Sequence, residues 1–236
     1  MAGTDAAPAA ALTDLFGLLA YAELVAFFNL SNDAERAASL ADKAALGEMA
    51  VTEFGHFRTL HDELTRRGAV PEQAMEPFVA PLDAFHARTA PADWLESLVK
   101  AYVGDGLAAD FYRAVAERLE PEARALVLEA LADTGHADFV ISRVRAAIEA
   151  DPTRAGRLAL WARRLVGEAL AQAHRVVAER PSLAQLVAGA DGESGGQGDI
   201  GRMFAQITDA HDQRLAAGQR PRCCGPVRGS APWKSR

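Results

Sequence analysis

The feature that most constrains this chain is a pattern of acids and histidines that occurs twice. Glu53-Phe-Gly-His56 and Asp133-Thr-Gly-His136 each place a carboxylate three positions before an imidazole. Each copy follows a lone acid in an apolar run, Glu23 ahead of Glu53 and Asp105 ahead of Asp133, at nearly the same spacing. The interval from Glu53 to Asp133 equals that from His56 to His136, and Glu23 to Asp105 nearly matches both. Residues three and four apart share one face of an α-helix, so each carboxylate-x-x-His pair offers two neighbouring ligands from one helix. The pair alone is a moderate signal. Of six histidines, His56, His86 and His136 have an acid three positions earlier, although acids are only 32 of 236 residues. The third match, Asp83 with His86, lies between Pro81 and Pro91, off the expected bundle helices, and reads as structural. The internal repeat is what sets the other two apart.

Composition agrees with helices. Ala occurs 51 times, charged residues make up 24%, and runs of β-branched or aromatic residues are few. Half the residues are hydrophobic, enough for a sizeable core and too many for wholesale disorder. No stretch of eighteen uncharged apolar residues is present, so no membrane span is expected. The start, MAGTDAAPAA, lacks a basic segment and does not read as a secretory signal. Cys223 and Cys224 are adjacent in a polar tail and cannot staple a fold. These features together predict a cytoplasmic protein, and 236 residues with a long crossover and an extra helix suit a monomer or homodimer better than a self-assembling shell. The net charge of −7 divides unevenly, because residues 213–236 hold six bases and no acid. The rest of the chain is therefore strongly acidic, a poor general nucleic-acid surface.

Along the chain, residues 1–11 read as disordered and 12–30 as one long apolar helix. A second helix starts at Ser31 or Asn32 and runs to about Arg67, where Gly68 ends it. Residues 69–93 hold four prolines and read as a crossover with short helical pieces. A third helix spans about 94–119, and a fourth starts at Pro121 and continues to about 150. A fifth occupies about 155–180. The helical domain spans 12–187, followed by a Gly-rich linker at 188–199, a short helix at 200–217 and a disordered basic tail at 218–236. Two antiparallel hairpins joined by a long crossover make an all-α, ferritin-like four-helix bundle with one or two additional helices.

The acids sit on faces that should be buried. Glu23 shares its face with Leu19, Ala26, Phe27 and Leu30; Glu53 and His56 share theirs with Met49, Ala50, Phe57 and Leu60. Asp133 and His136 lie among Ala130, Ala137 and Val140, and Asp105 among Ala101, Tyr102, Ala108 and Ala109. Asp110, the other candidate on that helix, lies about 140° around from Asp105 and breaks the repeat. An unpaired buried carboxylate is costly. Mutual hydrogen bonding without an ion is one solution. The other is a pair of divalent cations, whose charge four carboxylates and two neutral histidines balance. Carboxylate and imidazole ligands without thiolate suit two iron ions, or manganese.

At this point the stretches AYAELVAFF, EMAVTEFGHF, KAYVGDGLAADFYR and LADTGHADF resemble a family. It is the actinobacterial ferritin-like proteins related to bacterial tRNA 2-methylthio-N6-isopentenyladenosine hydroxylase, over about residues 12–185. The resemblance implies O₂-dependent hydroxylation of an unactivated carbon, with Glu23, Glu53, His56, Asp105, Asp133 and His136 as iron ligands and an unidentified electron donor as partner. Where that family usually has Glu, this chain has Asp105 and Asp133, each one methylene shorter. A tRNA substrate would need phosphate contacts. Residues 143–180 hold eight Arg against four acids, and Arg163 and Arg164, beside Trp161, are the candidate RNA contacts. A solvated helix face and a core Trp explain the same residues. Tyr102, one turn before Asp105, is a candidate hydrogen-bond donor to a ligand; His61, Glu168 and His174 receive no role. A ferroxidase or iron-binding relative, and a non-catalytic bundle, are the competing readings.

Overall fold

The protein is described by a computed structural model that covers residues 6–130 and 136–188, together with Ala205. Among these residues the chain is helical, with no strand. Helices α1 (Ala6–Arg36) and α2 (Leu40–Arg66) form the first hairpin, and α3 (Pro71–Arg88) follows. The second half comprises α4 (Trp94–Ala116), α5 (Pro121–Ala130), α6 (His136–Ala150), α7 (Arg154–Glu179) and α8 (Pro181–Ala188).

The first hairpin turns later than the sequence predicts. Ser31, Asn32 and Asp33 stay inside α1, whose last turn is held by an Arg36–Asp33 ion pair of 2.7 Å. Ser39 caps α2 instead, accepting from the Asp42 backbone N–H at 3.0 Å while its hydroxyl donates to Asp42 Oδ2 at 2.7 Å. The other end of α2 falls where expected. Gly68 takes φ +79°, its N–H bonds the Thr65 carbonyl, and the Ala69 N–H bonds the Leu64 carbonyl. That is the 6→1 and 5→2 pattern of a helix closed by a left-handed glycine.

The crossover is the larger correction. Residues 71–88 form one helix that contains Pro77 and Pro81, where broken pieces are expected. Pro71 fits its first turn. Each internal proline loses a backbone hydrogen bond, but burial of Ala74, Met75 and Phe78 against α1 and its neighbours offsets the loss. Helix α3 runs parallel to α1: Ala74 lies against Gly17, Tyr21 donates to Asp83 at 2.8 Å, and Asn29 meets His86. His86 is thus on a packed helix, not off the bundle. The predicted fourth helix is described as α5 and α6, and the boundary between them falls outside the described residues. Pro181 ends the fifth helix as expected and opens α8. The linker at 188–199, the helix at 200–217 and the tail at 218–236 also lie outside the described residues, apart from the end of α8 and Ala205, as do the first five residues.

Helix α1 is the central element. Over Ala9–Arg36 it is long and apolar enough to cross a membrane, contrary to the expectation from sequence. Here its apolar face is packed within the bundle, with Leu15, Phe16, Leu19 and Ala20 fully buried. Helix α7 covers α4 and α3. Trp161 donates to the Glu96 carbonyl at 2.9 Å and Arg164 donates to the Arg88 carbonyl at 2.7 Å, satisfying the exposed end of α3. Asp14 of α1 accepts from Arg180 and Ser182, which anchors the junction of α7 and α8.

The α1–α3 contact has no room for a side chain at residue 17. A Cβ there would lie 2.2 Å from the Ala74 carbonyl oxygen, a backbone atom that cannot rotate away. Gly17→Ala should therefore destabilise the protein by about 2 kcal/mol, despite the roughly 1 kcal/mol that Ala normally gains over Gly in a helix. A urea unfolding midpoint equal to or above that of the wild type would refute the close packing.

Candidate metal centre

Four helices each bring one part of the acid–histidine pattern to the same place. Glu23 from α1, Glu53 and His56 from α2, Asp105 from α4 and His136 from the start of α6 converge. They form two triads: Glu23, Glu53 and His56, and Glu53, Asp105 and His136, each with one ligand atom per residue within 4.8 Å of the others. Glu53 belongs to both. Its Oε2 lies 3.3 Å from His56 Nδ1 and its Oε1 lies 3.3 Å from His136 Nδ1, so the two carboxylate oxygens face opposite ways. Glu23 Oε2 stands 3.7 Å from His56 Nδ1. Five of the six candidate ligands are thus together, and Asp133 lies outside the described residues. Asp110 stays apart, 3.5 Å from Arg113.

The donor set fits a pair of divalent cations. A carboxylate whose two oxygens serve two triads is the arrangement that bridges two ions, and carboxylate with imidazole is the ligand chemistry of iron and manganese. The electrostatics of the cluster point the same way. Burial alone would raise Glu53, but hydrogen bonds to His136, His56 and Glu23 outweigh it and hold that carboxyl well below its usual range. His56 is raised from 6.5 to about 10 by its hydrogen bonds to Glu23 and Glu53, against the effect of burial. Glu23, which is buried, is raised mainly by desolvation. Asp105 is raised to about 7, first by desolvation and then by the charge of Glu53, with His136 opposing. Protein surrounds Asp105 closely, yet it keeps contact with solvent through a cavity that it lines.

That cavity, about 480 Å³, opens directly onto the cluster: Glu23, Glu53, His56, Asp105 and His136 all line it. From there it extends between α1, α3, α4 and α7 along walls that include Leu18, Leu82, Phe85, Phe111, Leu170 and Val176. Tyr102 lines it as well.

A family model of the ferritin-like domain of actinomycetes matches residues 7–190. The chain belongs to that family. Its fold is also similar to a solved structure described as "Protein 19 with aldehyde deformylating oxidase activity from Synechococcus". The two share 18% identity and a TM-score of 0.61, over 90% of this chain and 97% of that one. At that identity the likeness speaks for the ferritin-like fold alone. No curated protein matches the chain in sequence.

Two cavity residues escaped the sequence reading. Tyr112 is buried, lines the cavity, and is pushed well up by desolvation and by the nearby charge of Glu23. It lies two helical turns beyond Asp105, so extending the ligand face along α4 would have found it. Gln172 is buried on the apolar stripe of α7 with Ala169, Ala173 and Val176, and its Oε1 has no hydrogen-bond partner among the described residues. A lone amide on an apolar face is the signal there.

The sharing of Glu53 has a direct consequence. Glu53→Ala should reduce divalent metal bound by the full chain from two equivalents to near zero, whereas Glu23→Ala and Asp105→Ala should each cost about one. Metal analysis after loading with Fe(II) or Mn(II) measures this; equal losses for all three would contradict a bridging role. A second consequence concerns pH in the metal-free chain. His56 holds its proton more tightly when folded, so its stabilisation is complete below pH 6.5 and is lost as pH rises toward 10. Asp105, raised from 3.8, adds a folding penalty that grows as pH climbs through about 7. Both act in one direction, so the chelated protein should melt at a higher temperature at pH 6 than at pH 9. Asp105→Asn should flatten that slope. A slope of the opposite sign would refute the assignment.

Proposed function

We propose that this chain is a non-haem di-iron oxidase that uses O₂ to oxidise an unactivated carbon of a mainly apolar substrate. The observation that carries the reading is the union of two features: two ligand triads share Glu53, and they open onto a cavity with mostly apolar walls. Glu23, Glu53, His56, Asp105 and His136 would hold the irons, with Asp133 completing the set. The bound irons would supply the reduction of O₂ that attack on a C–H bond requires, with electrons from a separate reductant. The chain itself contributes charge balance, ligand orientation and exclusion of water. Glu53 stays ionised between its two imidazoles, ready to ligate without first losing a proton. Leu82, Phe85, Phe111 and Leu170 keep the reacting region dry and favour apolar groups. A cavity of this size beside the ligands favours oxidation of an organic molecule over iron storage.

An isopentenyl group is apolar and suits the same walls, which supports hydroxylation of that kind of group. A tRNA carrying it would also need free cations, and the Arg-rich stretch supplies few. Arg143 pairs with Asp42 at 2.7 Å, Arg154 with Asp151 at 3.1 Å, Arg157 with Asp93 and Glu96, and Arg175 with Glu179 at 2.8 Å. Arg180 pairs with Asp14, and Arg164 is committed to the end of α3 and to the Trp161 ring. Trp161 is a core residue, not a stacking surface. Arg163 is exposed. A small free substrate is therefore favoured over an RNA-borne one.

The full chain loaded with Fe(II) and given a chemical reductant should consume O₂ faster when an apolar substrate is present. Ala173→Phe, which fills the cavity, should leave iron content unchanged and abolish that stimulation. Glu53→Ala should abolish both iron binding and O₂ consumption. Iron-loaded wild type that shows no O₂ consumption with any apolar compound would overturn the proposal.

A further inference from the structure

His86 is one of several polar groups on the cavity wall outside the metal centre. His86 stands on α3 beside Leu82 and Phe85, in the wall formed with α7. Its Nδ1 lies 3.3 Å from the Asn29 side-chain nitrogen on α1. An amide nitrogen can only donate, so Nδ1 accepts and the single ring proton resides on Nε2. Burial, then the charge of Lys100, lowers the imidazole to about 4 against a smaller opposing effect of Asp83, so the ring is neutral under ordinary conditions. Lys100 itself is occupied elsewhere, donating to the Thr89 carbonyl at 2.8 Å and lying over the Phe85 ring. Among the described residues the ring makes no second hydrogen bond, and Nε2 is not sealed from solvent. Gln172, also on the wall, differs here, because its Oε1 is buried.

A neutral N–H donor on a residue that lines a mostly apolar cavity can be met by an oxygen of a bound molecule in place of water. Asn29 lies six positions beyond Glu23 on α1, about 9 Å along the axis, so the donor is set back from the ligands by a fixed interval. We propose that His86, its tautomer held by Asn29, positions the substrate by donating its Nε2–H to an oxygen of an otherwise apolar molecule in the cavity. The class implied is an uncharged ketone, aldehyde, ester or alcohol, with its oxygen at His86 and its apolar part toward the carboxylates. The proposal rests on the oxidase reading only for which part reacts; binding itself does not require it.

The test uses the full chain after chelation of metal. Binding of octan-2-one and of octane is measured by displacement of the fluorophore N-phenyl-1-naphthylamine. Wild type should prefer the ketone. His86→Leu should weaken ketone binding about five- to tenfold and leave octane unchanged, the range a single hydrogen bond supports. His86→Gln, whose amide can donate, should recover most of the loss, and Asn29→Leu should weaken the ketone to a smaller degree. Helicity by circular dichroism and metal uptake should match wild type for every variant. Equal losses for ketone and octane in His86→Leu, or no loss for either, would overturn the proposal. A chain that never consumes O₂ but shows this preference would refute the oxidase reading alone. One that oxidises substrate without the preference would refute the role of His86 alone.

Discussion

The structure depends on one buried carboxylate held between two imidazoles. Glu53 is buried on α2, and its two oxygens each stand 3.3 Å from a different histidine, one on its own helix and one on α6. Removing a negative charge from water is costly unless partners recover the energy. Here one partner shares α2 with Glu53 and the other is on α6, so the buried carboxylate is paired on both oxygens only when α2 and α6 are docked together. Glu23 and Asp105 add two more acids to the same volume, and without cations both are driven toward their protonated forms. The cluster is poised for positive charge, and apolar packing elsewhere must sustain the cost of assembling it.

That packing is centred on α1. Its buried residues Leu15, Phe16, Leu19 and Ala20 contribute to the main core, and one turn later it presents Glu23 to the ligand cluster. Gly17 lets α3 approach almost to backbone contact, and the parallel course that results carries His86 to the level of Asn29. Helix α7 then closes the space left between α3 and α4. The cavity is thus a gap among helices whose separation from one another is set by contacts outside it, from Trp161 at one end to the Asp14–Arg180 pair at the other.

Much of this was legible in the sequence, for reasons tied to particular residues. Glu23, Glu53, His56, Asp105 and His136 could be placed on inward faces because helical periodicity relates each acid to its apolar neighbours. Gly68 could be named as the end of α2 because a left-handed terminus needs a residue without a Cβ. Two local signals misled. Ser31-Asn32-Asp33 resembles a cap, yet the turn waits for Ser39, whose hydroxyl has Asp42 to pair with. Pro77 and Pro81 resemble breaks, yet burial along α1 keeps α3 whole. At α3 tertiary burial outweighed the cost of the prolines, whereas at the first turn one local cap outcompeted another.

By itself the sequence determined the helical class, the inward face of each long helix and the two-hairpin repeat of acids and histidines. Those properties follow from spacing along the chain, because a helix advances and rotates by a constant step at every residue. Only the tertiary structure decided that Glu53 is shared between two triads, that His86 reaches the cavity wall, and that the arginines of α6 and α7 are largely committed to internal partners. Those outcomes depend on the rotation and separation of helices distant in sequence, and no residue spacing encodes an interhelical distance.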